Sequence, residues 1–205
     1  MTAFDHLVYG TPDLARTTTD LASQGIELSP GGAHAGLGTR NALADLGDGG
    51  YLEVIGPDLE QTGPPRLFGI DQLTAARTIT WCIRVDDLDA AVEHARAGGY
   101  DPGEPLAMSR TRSDGVELNW RLAIPEPDAA AGLVPFLIEW GDTPHPSTTA
   151  ARGTRLSSLR ATHPDPDLIR ARLGALGVTL DVSAGEVGLR AELITANGPL
   201  VLPCG

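Results

Sequence analysis

Residues 4–14 read Phe4-Asp5-His6-Leu7-Val8-Tyr9-Gly10-Thr11-Pro12-Asp13-Leu14, an apolar strand-like run followed by an Asp-Leu pair that opens a helical pattern. The same order returns at Ile79-Thr80-Trp81-Cys82-Ile83-Arg84-Val85, then Asp86-Asp87-Leu88. It returns again at Leu156-Ser157-Ser158-Leu159-Arg160-Ala161, then Asp165-Pro166-Asp167-Leu168. A repeated unit of this length is one supersecondary module used more than once. Thr11, Asp86 and Asp165 suit helix N-caps, Pro12 and Pro166 suit the first helical position, and Gly25, Gly98 and Gly177 suit helix ends. Leu88, Ala91, Val92 and Ala95 recur at helical spacing, as do Ile169, Leu173 and Leu176.

Strand-like segments follow each helix: 41–46 and 51–55, then 116–123 and 134–140, then 178–182, 188–195 and 200–202. Asp48-Gly49-Gly50 and Asn197-Gly198 read as hairpin turns. Each copy therefore predicts β-α-β-β-β, and the fold class is α+β. Residues 56–74, with Gly63-Pro64-Pro65, read as a loop or lid, and residues 141–153 as a linker. The domain reading is 1–147, built of modules 1–57 and 76–147, and a third, divergent module at 154–205. The third module must pack on the paired modules or on another chain, the latter in a homodimer.

Net charge is −12, and every basic residue apart from histidine is Arg. Such a chain repels a phosphate backbone, which argues against nucleic acid. No run reaches the length of a membrane span and no signal peptide is visible. Two cysteines without metal-type spacing, Cys82 and Cys204, fit a reducing cytoplasm. The expected partner is a small molecule, not nucleic acid or membrane.

Several side chains could carry chemistry. Glu53 and Glu139 stand in apolar strands, Tyr51-Leu52-Glu53-Val54-Ile55 and Phe136-Leu137-Ile138-Glu139-Trp140. A carboxylate there is costly unless paired or metal-bound. His6 opens the first module, and Thr80 is its counterpart in the second, each seven residues before an Asp. The glycine-rich stretch 31–41 reads as a loop bringing His34 and Asn41 over a cavity. Arg112 could clamp an anion, Trp120 could line the same space, and His145 follows the second Glu strand. Each has an ordinary structural reading too: exposed strand Glu, core Trp, inert linker His-Pro.

Taken together, the segments 4–8, 31–41, 50–55, 114–120 and 135–140 with His145-Pro146 resemble the glyoxalase-like domain family of the vicinal oxygen chelate superfamily. The resemblance implies two βαβββ modules paired as a cupped barrel, with metal ligands on the first and last strands of each. Carried over, the ligands are His6, Glu53 and Glu139, with Thr80 as a poor fourth, for a divalent Zn, Ni, Mn or Fe ion. Glu139 and His34 would move protons, while Asn41, Arg112, Trp120 and His145 would contact substrate. The implied activity is that of an isomerase, lyase or dioxygenase acting on a substrate with adjacent oxygens. The alternative is a metal-free binding protein of the same fold, which the missing fourth ligand favours.

Overall fold

The computed structural model describes residues 2–112, 115–126, 130 and 132–204, apart from the Arg112 side chain. The first module runs β1 (Ala3–Gly10), α1 (Leu14–Ser23), β2 (Ser29–His34), β3 (Thr39–Gly47) and β4 (Gly50–Pro57). The second runs β5 (Arg77–Arg84), α2 (Leu88–Ala97), β6 (Leu106–Arg112), β7 (Glu117–Ala123) and β8 (Phe136–Glu139). Their strands close into one barrel, ordered β1-β4-β3-β2-β6-β7-β8-β5. In both modules the last strand lies between the first and the third, parallel to the first. The seams are antiparallel, β1 on β5 and β2 on β6.

The third segment keeps the chain order of a module: β9 (Arg155–His163), α3 (Pro166–Ala175), β10 (Asp181–Ala184), β11 (Gly188–Thr195) and β12 (Gly198–Val201). Its sheet order differs, β10-β9-β11-β12, with β12 left at an edge as the far arm of the Asn197-Gly198 hairpin. It is therefore a divergent copy in a geometric sense as well. It does not stand apart: Ala161, Ile169, Leu189 and Leu193 share one apolar cluster with Leu7, Leu52, Trp81 and Leu137 on the outside of the barrel.

Local chemistry explains most boundaries. Asp13, Asp87 and Asp165 are the N-caps, each accepting a backbone N–H three residues on. In the first two helices the cap thus falls later than the expected Thr11 and Asp86. Thr11 is used elsewhere, bonding Thr17 and the Asp13 backbone. Asp48 and Gly49 both take positive φ (52° and 75°), the backbone that a two-residue hairpin between β3 and β4 requires.

Two strands differ from the sequence reading. The stretch 31–41, expected as a loop, holds the later part of β2, and β6 lies where no strand was expected. The glycines of β2 have a packing reason: a Cβ on Gly31 would collide with the Asn41 and Arg110 side chains, and one on Gly32 with the Thr111 carbonyl. Small residues there admit side chains from neighbouring strands. Both cysteines are free, Cys82 buried and Cys204 exposed. Among the described residues no helix is long and apolar enough to cross a membrane.

Strand alternation sorts the barrel into two faces. Val8, Ile55, Cys82, Leu118, Trp120, Phe136 and Ile138 point inward, while Leu7, Leu52, Val54, Trp81 and Leu137 pack outward under the helices and the third sheet. Apolar residues on both faces leave the barrel strands doubly buried. A polar group inside therefore needs a partner.

Candidate functional site

Inside the barrel, His6 of β1, His34 of β2, Asn41 of β3 and Tyr51 and Glu53 of β4 line a cavity of about 40 Å³. All five come from the first module. The second module supplies Arg110 and an apolar wall of Met108, Trp120, Leu122, Phe136, Ile138 and Trp140. Leu67 and Phe68, from the loop between modules, also line it. Phe68 holds a positive φ of 53° and lies 5.5 Å from the Phe136 ring. One water needs roughly 10–15 Å³, so the cavity has room for about three.

Glu53 sits at the centre of the polar side. Its Oε2 lies 3.7 Å from His6 Nε2 and its Oε1 lies 3.8 Å from His34 Nε2. Asn41 Nδ2 donates to Oε1 at 2.5 Å. Asn41 Oδ1 in turn accepts from the Gly32 N–H and from Arg110 Nη1, both at 3.0 Å. One amide thus ties β2, β3, β4 and β6 together around the carboxylate. Each imidazole is held by its other nitrogen: His34 Nδ1 lies 3.0 Å from Thr39 Oγ1, and His6 Nδ1 lies 2.6 Å from Asp5 Oδ1. Tyr51 stacks on the His6 ring at 4.7 Å, and Phe136 meets it edge-on at 5.3 Å.

The electrostatics follow from burial. Burial lowers the His34 pKa, the Glu53 charge opposing it only in part, so the imidazole favours its neutral form. Burial, aided by the Asp5 and Glu53 charges, pushes the Tyr51 hydroxyl well up, keeping it a neutral donor. Burial pushes the Asp5 carboxyl up, but hydrogen bonds and charge from His145 and His6 outweigh that and hold it well below the usual carboxylate range.

The expected residues divide cleanly. His6, His34, Asn41, Glu53 and Trp120 share the cavity. Glu139 does not. Phe136 and Ile138 point inward, so the next residue points out, and its Oε2 pairs with Arg121 Nη1 at 3.3 Å on the barrel exterior. Thr80 is buried, and its hydroxyl bonds the Trp81 carbonyl. His145 is outside too, in a groove of about 450 Å³ lined by Arg84, Asp86, Glu139 and Trp140, with its Nε2 on Asp5. Arg112 ends β6 and pairs with Gly32 through the backbone, but its side chain, like Asp114, lies outside the described residues. The cavity arginine is Arg110, two residues earlier on the same strand. Arg110, Tyr51 and Asp5 escaped the sequence reading. The signal for Asp5 was its place beside His6, and that for Arg110 was the glycine pair opposite.

The metal set implied by resemblance does not assemble. Among the described residues the last strand of the second module offers no donor inside the barrel, because Glu139 faces out and its inward neighbours are Phe136 and Ile138. Among the described residues, one group brings three ligand-type atoms within 4.8 Å of one another: Asp5, His6 and Cys82. There the Asp5 oxygens already accept from His6, His145 and Trp140. Burial also raises the Cys82 thiol well above its ordinary value, which disfavours the thiolate a metal needs. His6, His34 and Glu53 meet only pairwise, through opposite oxygens of Glu53, and do not close into a compact donor set. The arrangement suits proton transfer better than ion binding.

A family model described as a glyoxalase-like domain matches residues 4–177. Among solved structures, a hypothetical protein from Staphylococcus aureus has a TM-score of 0.68 at 16% identity, over 98% of this chain and 84% of its own. A triple mutant of 4-hydroxymandelate synthase from Streptomyces coelicolor has a TM-score of 0.52 at 14% identity, over 98% of this chain and 63% of its own. At such identities the likeness is one of fold. No curated protein matches the sequence.

Proposed function

The chain belongs to the glyoxalase-like domain family, and from that footing we propose that it is a small-molecule enzyme that moves a proton on a substrate with adjacent oxygens. The observation carrying this reading is that two buried imidazoles present Nε2 to one buried carboxylate, Glu53, inside a covered cavity. Gaps of 3.7 and 3.8 Å are too long for direct hydrogen bonds, which leaves a substrate group to be shared between them.

In this reading Glu53 is the proton-moving group and Asn41 fixes its Oε1. His6 and His34 hold or return the proton at Nε2. Arg110, anchored through Asn41, puts positive charge near the oxygens, where charge develops in an enediolate. Met108, Trp120, Phe136 and Ile138 hold the hydrocarbon part and exclude water. Isomerisation and lyase chemistry both fit. The donor set does not fit a metal, so no step runs through one.

The test uses protein purified without chelator or nickel column, given a panel of α-oxo-aldehyde adducts, catechols and 2-oxo acids. The reading expects turnover of a panel member that survives chelator, with substoichiometric metal by elemental analysis. A stoichiometric ion whose removal abolishes turnover would overturn the metal-free mechanism. Tight binding with no turnover on any member would make the chain a binding protein.

A further inference from the structure

The cavity is joined to the outer groove through one carboxylate. Asp5 is fully buried in the wall of the barrel, in β1, at a register shift against β5 between Phe4 and His6. Its Oδ1 meets His6 Nδ1 at 2.6 Å from the cavity side. Its Oδ2 meets His145 Nε2 at 2.9 Å and Trp140 Nε1 at 3.0 Å from the groove side. The direction of these bonds can be assigned. The Ser147 backbone N–H donates to His145 Nδ1, so the proton of neutral His145 is on Nε2 and points at Asp5. The indole N–H can only donate. An ionised carboxylate can only accept, so His6 carries a proton on Nδ1 as well.

We propose that Asp5 and His145 are positioning residues for His6. Asp5 fixes the Nδ1–H tautomer and the plane of the cavity imidazole, and His145 holds Asp5 in place from the far side of the wall. His6 Nε2 is thereby kept as the lone-pair nitrogen that faces Glu53. Tautomer selection by a buried carboxylate on the far nitrogen is what a histidine base needs, because the wrong tautomer presents N–H where a lone pair must act. A merely structural anchor would need no charge: a neutral acceptor at position 5 could take the Trp140 indole N–H without burying a carboxylate. This inference rests on the acid–base reading of the cavity, and it moves His145 from substrate contact to support of the base.

The experiment is multiple-bond proton–nitrogen NMR on full-length protein with ¹⁵N-labelled histidine, which distinguishes imidazole tautomers and requires no substrate. In the wild type, His6 should show the Nδ1–H tautomer. Asp5→Asn should shift it to Nε2–H or to a mixture. His145→Ala should weaken the protected Nδ1–H signal, and His145→Gln, whose amide can donate to Asp5, should restore it. Where a panel member turns over, Asp5→Asn should lower kcat by roughly 10²–10⁴-fold with little change in KM. An Nε2–H tautomer in the wild type overturns the proposal, as does an Nδ1–H signal unaltered in His145→Ala. The second result stands even if Asp5→Asn fails to fold. Absence of turnover on the whole panel bears on the enzyme reading and leaves the tautomer result intact.

Discussion

Asn41→Ala should be among the most destabilising single changes in the barrel. The amide makes four hydrogen-bond contacts: it accepts from Gly32 N and from Arg110 Nη1 at 3.0 Å, donates to Glu53 Oε1 at 2.5 Å, and holds its Nδ2 3.5 Å from His34 Nε2. Truncation removes them all and leaves a half-buried N–H, a guanidinium N–H and a carboxylate oxygen without that partner. Each buried polar group left unsatisfied costs about 1–3 kcal/mol, more when charged. The cavity beside Glu53 can admit water, which offsets part of the loss on that side. The expected destabilisation is therefore about 2–5 kcal/mol, a large share of a total near 5–15 kcal/mol. At this chain length that lowers Tm by roughly 5–15 °C. Urea unfolding followed by circular dichroism measures it, with the slope m held constant between variants. A loss under about 0.5 kcal/mol would refute the picture of one amide tying β2, β3, β4 and β6 around the carboxylate.

Glu139→Gln breaks only a partly exposed pair with Arg121, so stability should change by less than about 1 kcal/mol and turnover by less than about twofold. A hundredfold loss of turnover would return Glu139 to the site. His34 has a pKa lowered by burial from its ordinary 6.5, so the unfolded chain takes up the proton first. Its contribution to stability is fully present above 6.5 and falls away as pH drops from there toward the folded value. His34→Gln should flatten that slope in denaturation measured between pH 7 and 5, and an unchanged slope would contradict the assignment. Phe68→Ala thins the cover over the cavity, so an apolar fluorescent probe should enter faster by stopped flow. An unchanged rate would mean that entry is elsewhere.

The fold was largely legible because its cues are local. Asp-Leu helix starts, the Asp48-Gly49 turn and helical spacing in α2 and α3 each depend on a few neighbouring residues. Strand β2 was not, because its glycines match a loop until Asn41 and Arg110 are seen to fill their side-chain space. The site was legible in part for a related reason. Phe136-Leu137-Ile138-Glu139-Trp140 is buried by the barrel interior on one face and by helices on the other. No polar-apolar alternation then reveals which face Glu139 takes. In β4 the same ambiguity resolves the other way, and Glu53 points in. His34 and Asn41 both line the cavity, but His34 does so from strand β2 rather than from the expected loop. Asp5 was hidden because its partners, Trp140 and His145, lie more than a hundred residues away.

The most direct test of the account is the initial rate of Glu53→Gln beside wild type, on the first panel compound that turns over. The substitution keeps shape, and a flipped amide can still accept from Asn41 and offer N–H toward His6, so the fold should hold with a change of about 1 kcal/mol or less. It removes the carboxylate that takes the proton. The account predicts a fall in rate on the order of a hundredfold or more with a normal melting curve. A folded Glu53→Gln protein with wild-type rate would contradict it.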